Sequence, residues 1–168
     1  NCGNLSSAVA AFAVDEGLVT PKEPTTLVRM FNTNTQKLII AEVPVKDGKF
    51  LGEGDYSISG VPGMGAKILL DFRNTTGSVT GKLLPTDNIK DIITLDDGNK
   101  FEVSIVDVAT PMVFVRASDV GKRGTELPEE INSDAQFLEK IEKIRSYAAR
   151  MIGIVDDWKK ATTSTPAT

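Results

Sequence analysis

Leu5, Ala8, Val9, Phe12 and Ala13 recur at intervals of three and four residues, which predicts a helix over residues 4–16. Apolar positions are so dense in this segment that the helix is expected to be buried nearly all round, and Gly17 supplies its stop. From Thr25 onward the period changes to short β-branched runs at 26–31, 37–45, 66–72, 89–95, 101–108 and 112–116. Turn-forming groups separate them: Asn32-Thr33-Asn34, Lys46-Asp47-Gly48, Asn74-Thr75-Thr76-Gly77 and Asp96-Asp97-Gly98-Asn99. This pattern reads as mostly antiparallel sheet. After Pro128 a second helix is expected from Asn132 or Ser133 to about Gly153, because Phe137, Leu138, Ile141, Ile144, Tyr147, Ala148 and Met151 form one apolar stripe opposite a charged face. The whole is an α+β arrangement. The loop 80–88, with Gly81, Pro85 and Asp87-Asn88, is the candidate crossing between two parts, and it serves equally as a link within one sheet. No repeat of fixed period is visible.

The two ends add expectations of their own. The sequence opens inside the helical pattern without a Met or a targeting segment, so the chain reads as an internal stretch of a longer protein. From Ala161 to Thr168 a Thr/Ser/Pro tail without periodicity reads as a flexible linker.

Composition narrows the functional classes. Nineteen Lys plus Arg against twenty-three Asp plus Glu leave a net charge of −4, with no basic run interleaved with aromatics, so nucleic acid is a poor partner. The apolar stretch 8–14 is far short of the roughly 20 residues that cross a bilayer, and no membrane span is expected. A single cysteine and no histidine leave no disulfide framework, no ordinary zinc site and no Ser/His/Asp triad. A reducing, cytoplasmic compartment fits this usage, with neither metal nor cofactor called for.

Candidate chemistry concentrates at Asn1-Cys2-Gly3-Asn4, directly before the predicted first helix. Backbone N–H groups at a helix start lack intrahelical partners and attract anions. A thiol placed there ionises more readily than a free one. Gly3 would let a ligand approach the backbone, and Asn4 could cap the helix. The plainer reading makes Cys2 a small buried hydrophobe and Asn4 an ordinary cap. Gly60-Val61-Pro62-Gly63-Met64-Gly65 lacks the dinucleotide spacing and the βαβ setting, and a tight turn explains it better. Gly77-Ser78-Val79-Thr80-Gly81-Lys82 resembles a P-loop but has three residues between its glycines instead of four, and Leu83 stands where Ser or Thr would bind magnesium, so nucleotide binding is rejected. Thr110-Pro111 would expose backbone at a ligand edge or simply end a strand. Glu129-Glu130 and Asp156-Asp157 read as solvated surface.

The run Asn1-Cys2-Gly3-Asn4-Leu5-Ser6-Ser7-Ala8-Val9 resembles the signature helix of the PrpF-like family of methylaconitate, methylitaconate and aconitate isomerases and oxalomesaconate tautomerases. Further blocks resemble that family in the same order: Val14 to Val19, Glu53 to Tyr56, Gly60 to Ala66, Gly81 to Thr86, Val113 to Ala117 and Gly124 to Pro128. The resemblance implies a diaminopimelate-epimerase-like fold, with two similar lobes, each a mostly antiparallel sheet around a central helix, and the active site between them. Residues 1–84 would then be the later part of the first lobe with its central helix, and 85–168 the beginning of the second, ending in the linker. It also implies cofactor-free proton transfer. Cys2 falls on the family's cysteine, and the amides of Gly3, Asn4 and Leu5 would receive a substrate carboxylate, with Met64, Gly65 and Thr110 as further substrate contacts. A family lysine upstream of the cysteine has no counterpart here, and neither Lys22 nor Lys82 matches it by motif. Met112 stands where the family often has a small polar residue or cysteine, which leaves a two-cysteine epimerase mechanism unsupported.

The leading expectation is an isomerase that moves a double bond in an unsaturated di- or tricarboxylic acid. A catalytically silent organic-anion-binding protein of the same fold is the rival from another class, and an amino-acid epimerase is a third. The expected partners are the small carboxylate and the remainder of the same polypeptide or a companion chain, with homo-oligomer formation left open.

Overall fold

The structure, a computed structural model, describes residues 2–163. Its contacts divide the chain into two compact units, Asn1–Thr75 and Thr76–Thr168.

In the first unit helix α1 (Gly3–Asp15) lies on a sheet of β1 (Thr25–Asn32), β2 (Lys37–Lys46), β3 (Lys49–Phe50) and β4 (Leu69–Asp71). All pairings are antiparallel, with β1 registered on β2 from Thr25↔Pro44 to Asn32↔Lys37 and β4 on the same strand at Ala41↔Leu70. Alternation along the strands turns Val28, Ala41, Val43 and Val45 to one face, where they meet Ala10, Ala13 and Val14 of α1. Small side chains at Ala10, Ala13 and Ala41 let helix and sheet approach closely. Each buried valine contributes on the order of 1.5–3 kcal/mol. Lys49 Nζ donates to Asp15 O at 2.6 Å and the Phe50 N–H to Asp15 Oδ1 at 2.8 Å, which ties the end of the helix to the β2–β3 hairpin. Gly17, at φ 67°, makes the predicted stop.

The expectation that this helix is buried nearly all round does not hold. Leu5, Val9 and Phe12 are exposed by 67%, 53% and 58%. The sheet covers one face of α1, and among the described residues no second layer covers the other.

In the second unit β5 (Asp91–Thr94), β6 (Lys100–Val108) and β7 (Thr110–Val115) form an antiparallel sheet against α3 (Ala135–Met151), which follows the short α2 (Pro128–Ser133). Ile93, Leu95, Phe101, Val103 and Ile105 from the sheet side pack with Ile144 and Ala148 of the helix and with Val120. The single helix expected from residue 132 is two helices. Asp134 separates them and caps α3, its Oδ1 accepting the Phe137 N–H at 2.9 Å, while its Oδ2 takes Lys122 Nζ at 2.7 Å. The expected strand 66–72 is ordered as strand only over the three residues of β4.

The tail reading is corrected at its start. Ala161 is fully buried in a 3₁₀ turn spanning Trp158–Thr163, where its carbonyl accepts from Arg145 Nη2 at 2.7 Å and Trp158 stacks on Tyr147. Residues 164–168 lie outside the described part. The segment 76–84, placed with the first part by the sequence, packs within the second unit. Thr76 bridges Val108, the Gly77 N–H donates to Asp107 O, and the Asp107 N–H donates to Leu83 O.

Candidate functional site

Cys2 is the N-cap residue of α1, in extended conformation at φ −118° and ψ 116°. Its carbonyl accepts the first intrahelical bond, from the Ser6 N–H at 3.0 Å, and a second from the Ser6 hydroxyl at 2.8 Å. The N–H groups of Gly3, Asn4 and Leu5 precede that first bond and are the ones a helix leaves open. Among the described residues no side chain caps them, and the first turn holds no acidic residue. The helix terminus therefore offers its partial positive charge to an external anion. Asn4 is not the cap the sequence suggested, because the helix already begins at Gly3; its carbonyl instead accepts from the Ser7 hydroxyl at 2.9 Å.

The thiol is exposed, so the plain reading of Cys2 as a buried hydrophobe fails in this structure. It stands on an open groove of about 260 Å³ lined by Leu5, Ser6 and Val9 of α1 and by Met30, Phe31 and Ile39 of the sheet. A Cβ added at Gly3 would meet only Leu70 Cδ1, at the ordinary distance of 3.9 Å. Nothing within the described fold thus requires glycine there.

Of the other expected contacts, Leu5 shares the groove with Cys2, while Met64 and Gly65 sit on a separate hairpin-like loop of the same unit. Tyr56 and Gly65 exchange backbone hydrogen bonds at 3.1 and 3.0 Å, and Gly60 and Gly63 take φ of 81° and 84°, the turn that the sequence favoured over a phosphate loop. Met64 projects to solvent. Thr110 opens β7 in the second unit, directly after Ala109, a non-glycine residue at φ 63°.

Two glycine turns of the second unit also gather backbone donors, and each gathers them on a carboxylate of the chain itself. Arg123, Gly124 and Thr125 direct their N–H groups to Glu126 at 2.8, 2.9 and 3.1 Å. These bonds, the one from Arg123 foremost, lower the Glu126 carboxyl to about 2. The P-loop-like segment 77–82 wraps Asp107 in the same manner, with Val79 and Thr80 N–H on its Oδ2 at 2.9 and 2.8 Å. Neither turn is left open for a phosphate. Sequence reasoning missed Asp107, and it missed Ser6, whose place one turn after Cys2 was the available signal. Among the described residues no group of three or more His, Cys, Asp or Glu gathers as a metal site, and no helix is long and apolar enough to cross a membrane.

The antiparallel α+β units and the helix that starts at a thiol define a protein of the diaminopimelate-epimerase-like fold. A solved structure of methylitaconate-delta-isomerase superimposes with a TM-score of 0.91 at 48% identity, covering 99% of this chain and 43% of that one. The chain belongs to the PrpF family, whose model, described as PrpF protein, matches residues 1–168. It is 48% identical to 3-methylitaconate isomerase of Eubacterium barkeri over 99% of this chain and 44% of the relative. It is 35% identical to 2-methyl-aconitate isomerase of Shewanella oneidensis over 92% of this chain and 41% of that protein. The chain thus spans less than half the length of these relatives.

Proposed function

We propose that this chain contributes the thiol-bearing half-site of a double-bond isomerase acting on unsaturated di- or tricarboxylic acids of the methylitaconate and methylaconitate type. The observation that carries the reading is Cys2 at the start of α1, which no side chain among the described residues caps, in a chain whose relatives are named for those isomerisations. A substrate carboxylate docks on the amides of Gly3, Asn4 and Leu5, where the helix terminus stabilises negative charge. Glycine at position 3 leaves room for that approach, consistent with the lack of any internal demand for it.

The reaction moves one proton. A base removes it from the carbon next to a carboxylate, the electron pair spreads into an allylic system, and a proton returns at the far carbon, so the double bond shifts with no net oxidation. Cys2 serves as acid or base in this exchange, without cofactor or metal, and Met64, Gly65 and Thr110 supply further substrate contacts. A reducing compartment, the cytoplasm, suits a free catalytic thiol.

The test is isomerisation of methylitaconate and of a panel of unsaturated tricarboxylates in deuterated water, with and without a chelator. Turnover should persist with chelator and without added cofactor. Cys2→Ser replaces the thiol with a far weaker acid and should lower the rate about a thousandfold, equivalent to about 4 kcal/mol in the barrier. Near-normal turnover by Cys2→Ser would sink the mechanism. Retained binding of the carboxylate with no isomerisation by the wild type would favour the silent binding protein instead.

A further inference from the structure

We propose that Asp107 is a positioning residue that holds the tip of the β6–β7 hairpin, and with it Thr110, in the conformation used by substrate. The inference rests on the reading of Thr110 as a substrate contact. Phe101, Val103 and Ile105 turn into the core at every second position of β6, and the next position in that series is an acid, fully buried. Its Oδ2 accepts from the Val79 N–H, the Thr80 N–H and the Thr80 hydroxyl at 2.9, 2.8 and 2.9 Å. Its main chain is fixed on the same side, through Leu83 O and the Gly77 N–H at 2.9 and 2.8 Å. The loop is shaped for this role. Gly77 takes φ 65°, and a Cβ there would stand 2.5 Å from the Gly81 carbonyl carbon.

What this clamp holds is a strained reversal. Two residues after Asp107, Ala109 occupies the left-handed region at φ 63°, with Val108 and Thr110 registered across it. The other non-glycine residues at positive φ among those described are Gln36, Asp47 and Asp87, all with polar side chains able to bond locally. Ala109 has no such help, so the conformation depends on its surroundings. Asp107 also carries an unusual burden, since its buried Oδ1 has no hydrogen-bond partner among the described residues. A buried acid that accepts from two backbone N–H groups and a hydroxyl of one loop pins that loop beside the strained turn, and an apolar side chain in its place would leave those donors without their acceptor. The arrangement is well explained by the need to fix the turn that presents Thr110.

The experiment measures kcat and KM of the complete protein with methylitaconate for Asp107→Ala, Thr110→Ala and the double variant, with a thermal melt on each. The expected result is that Asp107→Ala raises KM at least tenfold while kcat changes less than threefold, and that the double variant has a KM within threefold of Thr110→Ala alone, because both changes remove one contact. A purely structural role would reduce the amount of folded enzyme, lowering the apparent kcat at unchanged KM, and that outcome overturns the proposal. So does a double variant whose KM rises by the product of the two single effects. If Asp107→Ala does not fold, Thr80→Val removes one of the three bonds to Oδ2 and should raise KM about threefold; a folded Thr80→Val with unchanged KM is equally contradictory. If Thr110→Ala leaves KM unchanged, the substrate contact and this inference fail together; if Thr110→Ala raises KM while Asp107→Ala leaves it unchanged, the inference alone fails.

Discussion

The two units use the same motif, an antiparallel sheet carrying one long helix, but their helices are made for different surroundings. Helix α3 is amphipathic: Ile144 and Ala148 enter the core, Asp134 caps its start, and Lys143–Glu139 and Arg145–Glu142 pairs run along it. Helix α1 has no charged residue before Asp15, no capping side chain among those described, and apolar side chains on the face turned away from its sheet. A helix of the first kind is finished by water. One of the second kind is finished only by contact on its far side and at its open end, which is where the thiol stands.

The largest expected effect that sharpens this contrast is in the cores. Ile105 is fully buried, and Ile105→Ala should destabilise the second unit by about 2–5 kcal/mol, read from urea unfolding. Phe12→Ala, on the outward face of α1, should cost less than about 1 kcal/mol in these 168 residues. Equal losses would mean that the far face of α1 is covered and would break the comparison.

A smaller effect separates the helix starts. Asp134→Ala removes the α3 cap and the Lys122 pair and should lower the melting temperature, though by less than Ile105→Ala. Gly3→Ala, at the other start, meets no internal obstacle and should stabilise the fold by about 0.5–1 kcal/mol while raising KM for the carboxylate. Stabilisation with unchanged KM would show that no ligand approaches Gly3.

The smallest effect concerns pH. Glu126 is lowered from 4.5 to about 2 by the backbone donors of its own turn, first Arg123. A group whose carboxyl is depressed on folding adds stability above its unfolded value and loses it as pH falls through the folded one. Glu126→Gln should therefore weaken the protein at pH 7, progressively less below pH 4.5, and hardly at all near pH 2. A pH-independent difference between the two proteins would contradict the donor geometry.

Much of this was legible in the sequence, and the exceptions have physical causes. The period of 3.6 placed α1 and the period of two placed β1, β2 and β6 to within a residue or so, because each presents one consistent face to a core. The two-residue β3 is too short to show a period. The break at Asp134 was hidden because the apolar stripe of α3 begins only at Phe137 and the cap formers Asn132 and Ser133 stand just before it. Exposure of the far face of α1 was not legible, since pattern reports that a side chain is apolar and not what covers it. The placement of Cys2 directly before the first helix was readable from the sequence, whereas its exposure was not. Asp107 was missed although a signal for it existed: the alternation Phe101, Val103, Ile105 lands on it, and an acid on the buried face demands a partner, which the Gly77 to Lys82 segment supplies.

The central claim is that Cys2 lies where substrate binds and reacts. The most direct measurement is inactivation of the complete protein by a thiol-directed alkylating agent, with modified Cys2 quantified by mass spectrometry against residual isomerase activity in the presence and absence of trans-aconitate. The account predicts that activity falls in proportion to Cys2 modified and that saturating trans-aconitate slows both at least tenfold. Complete alkylation of Cys2 with activity intact would contradict it.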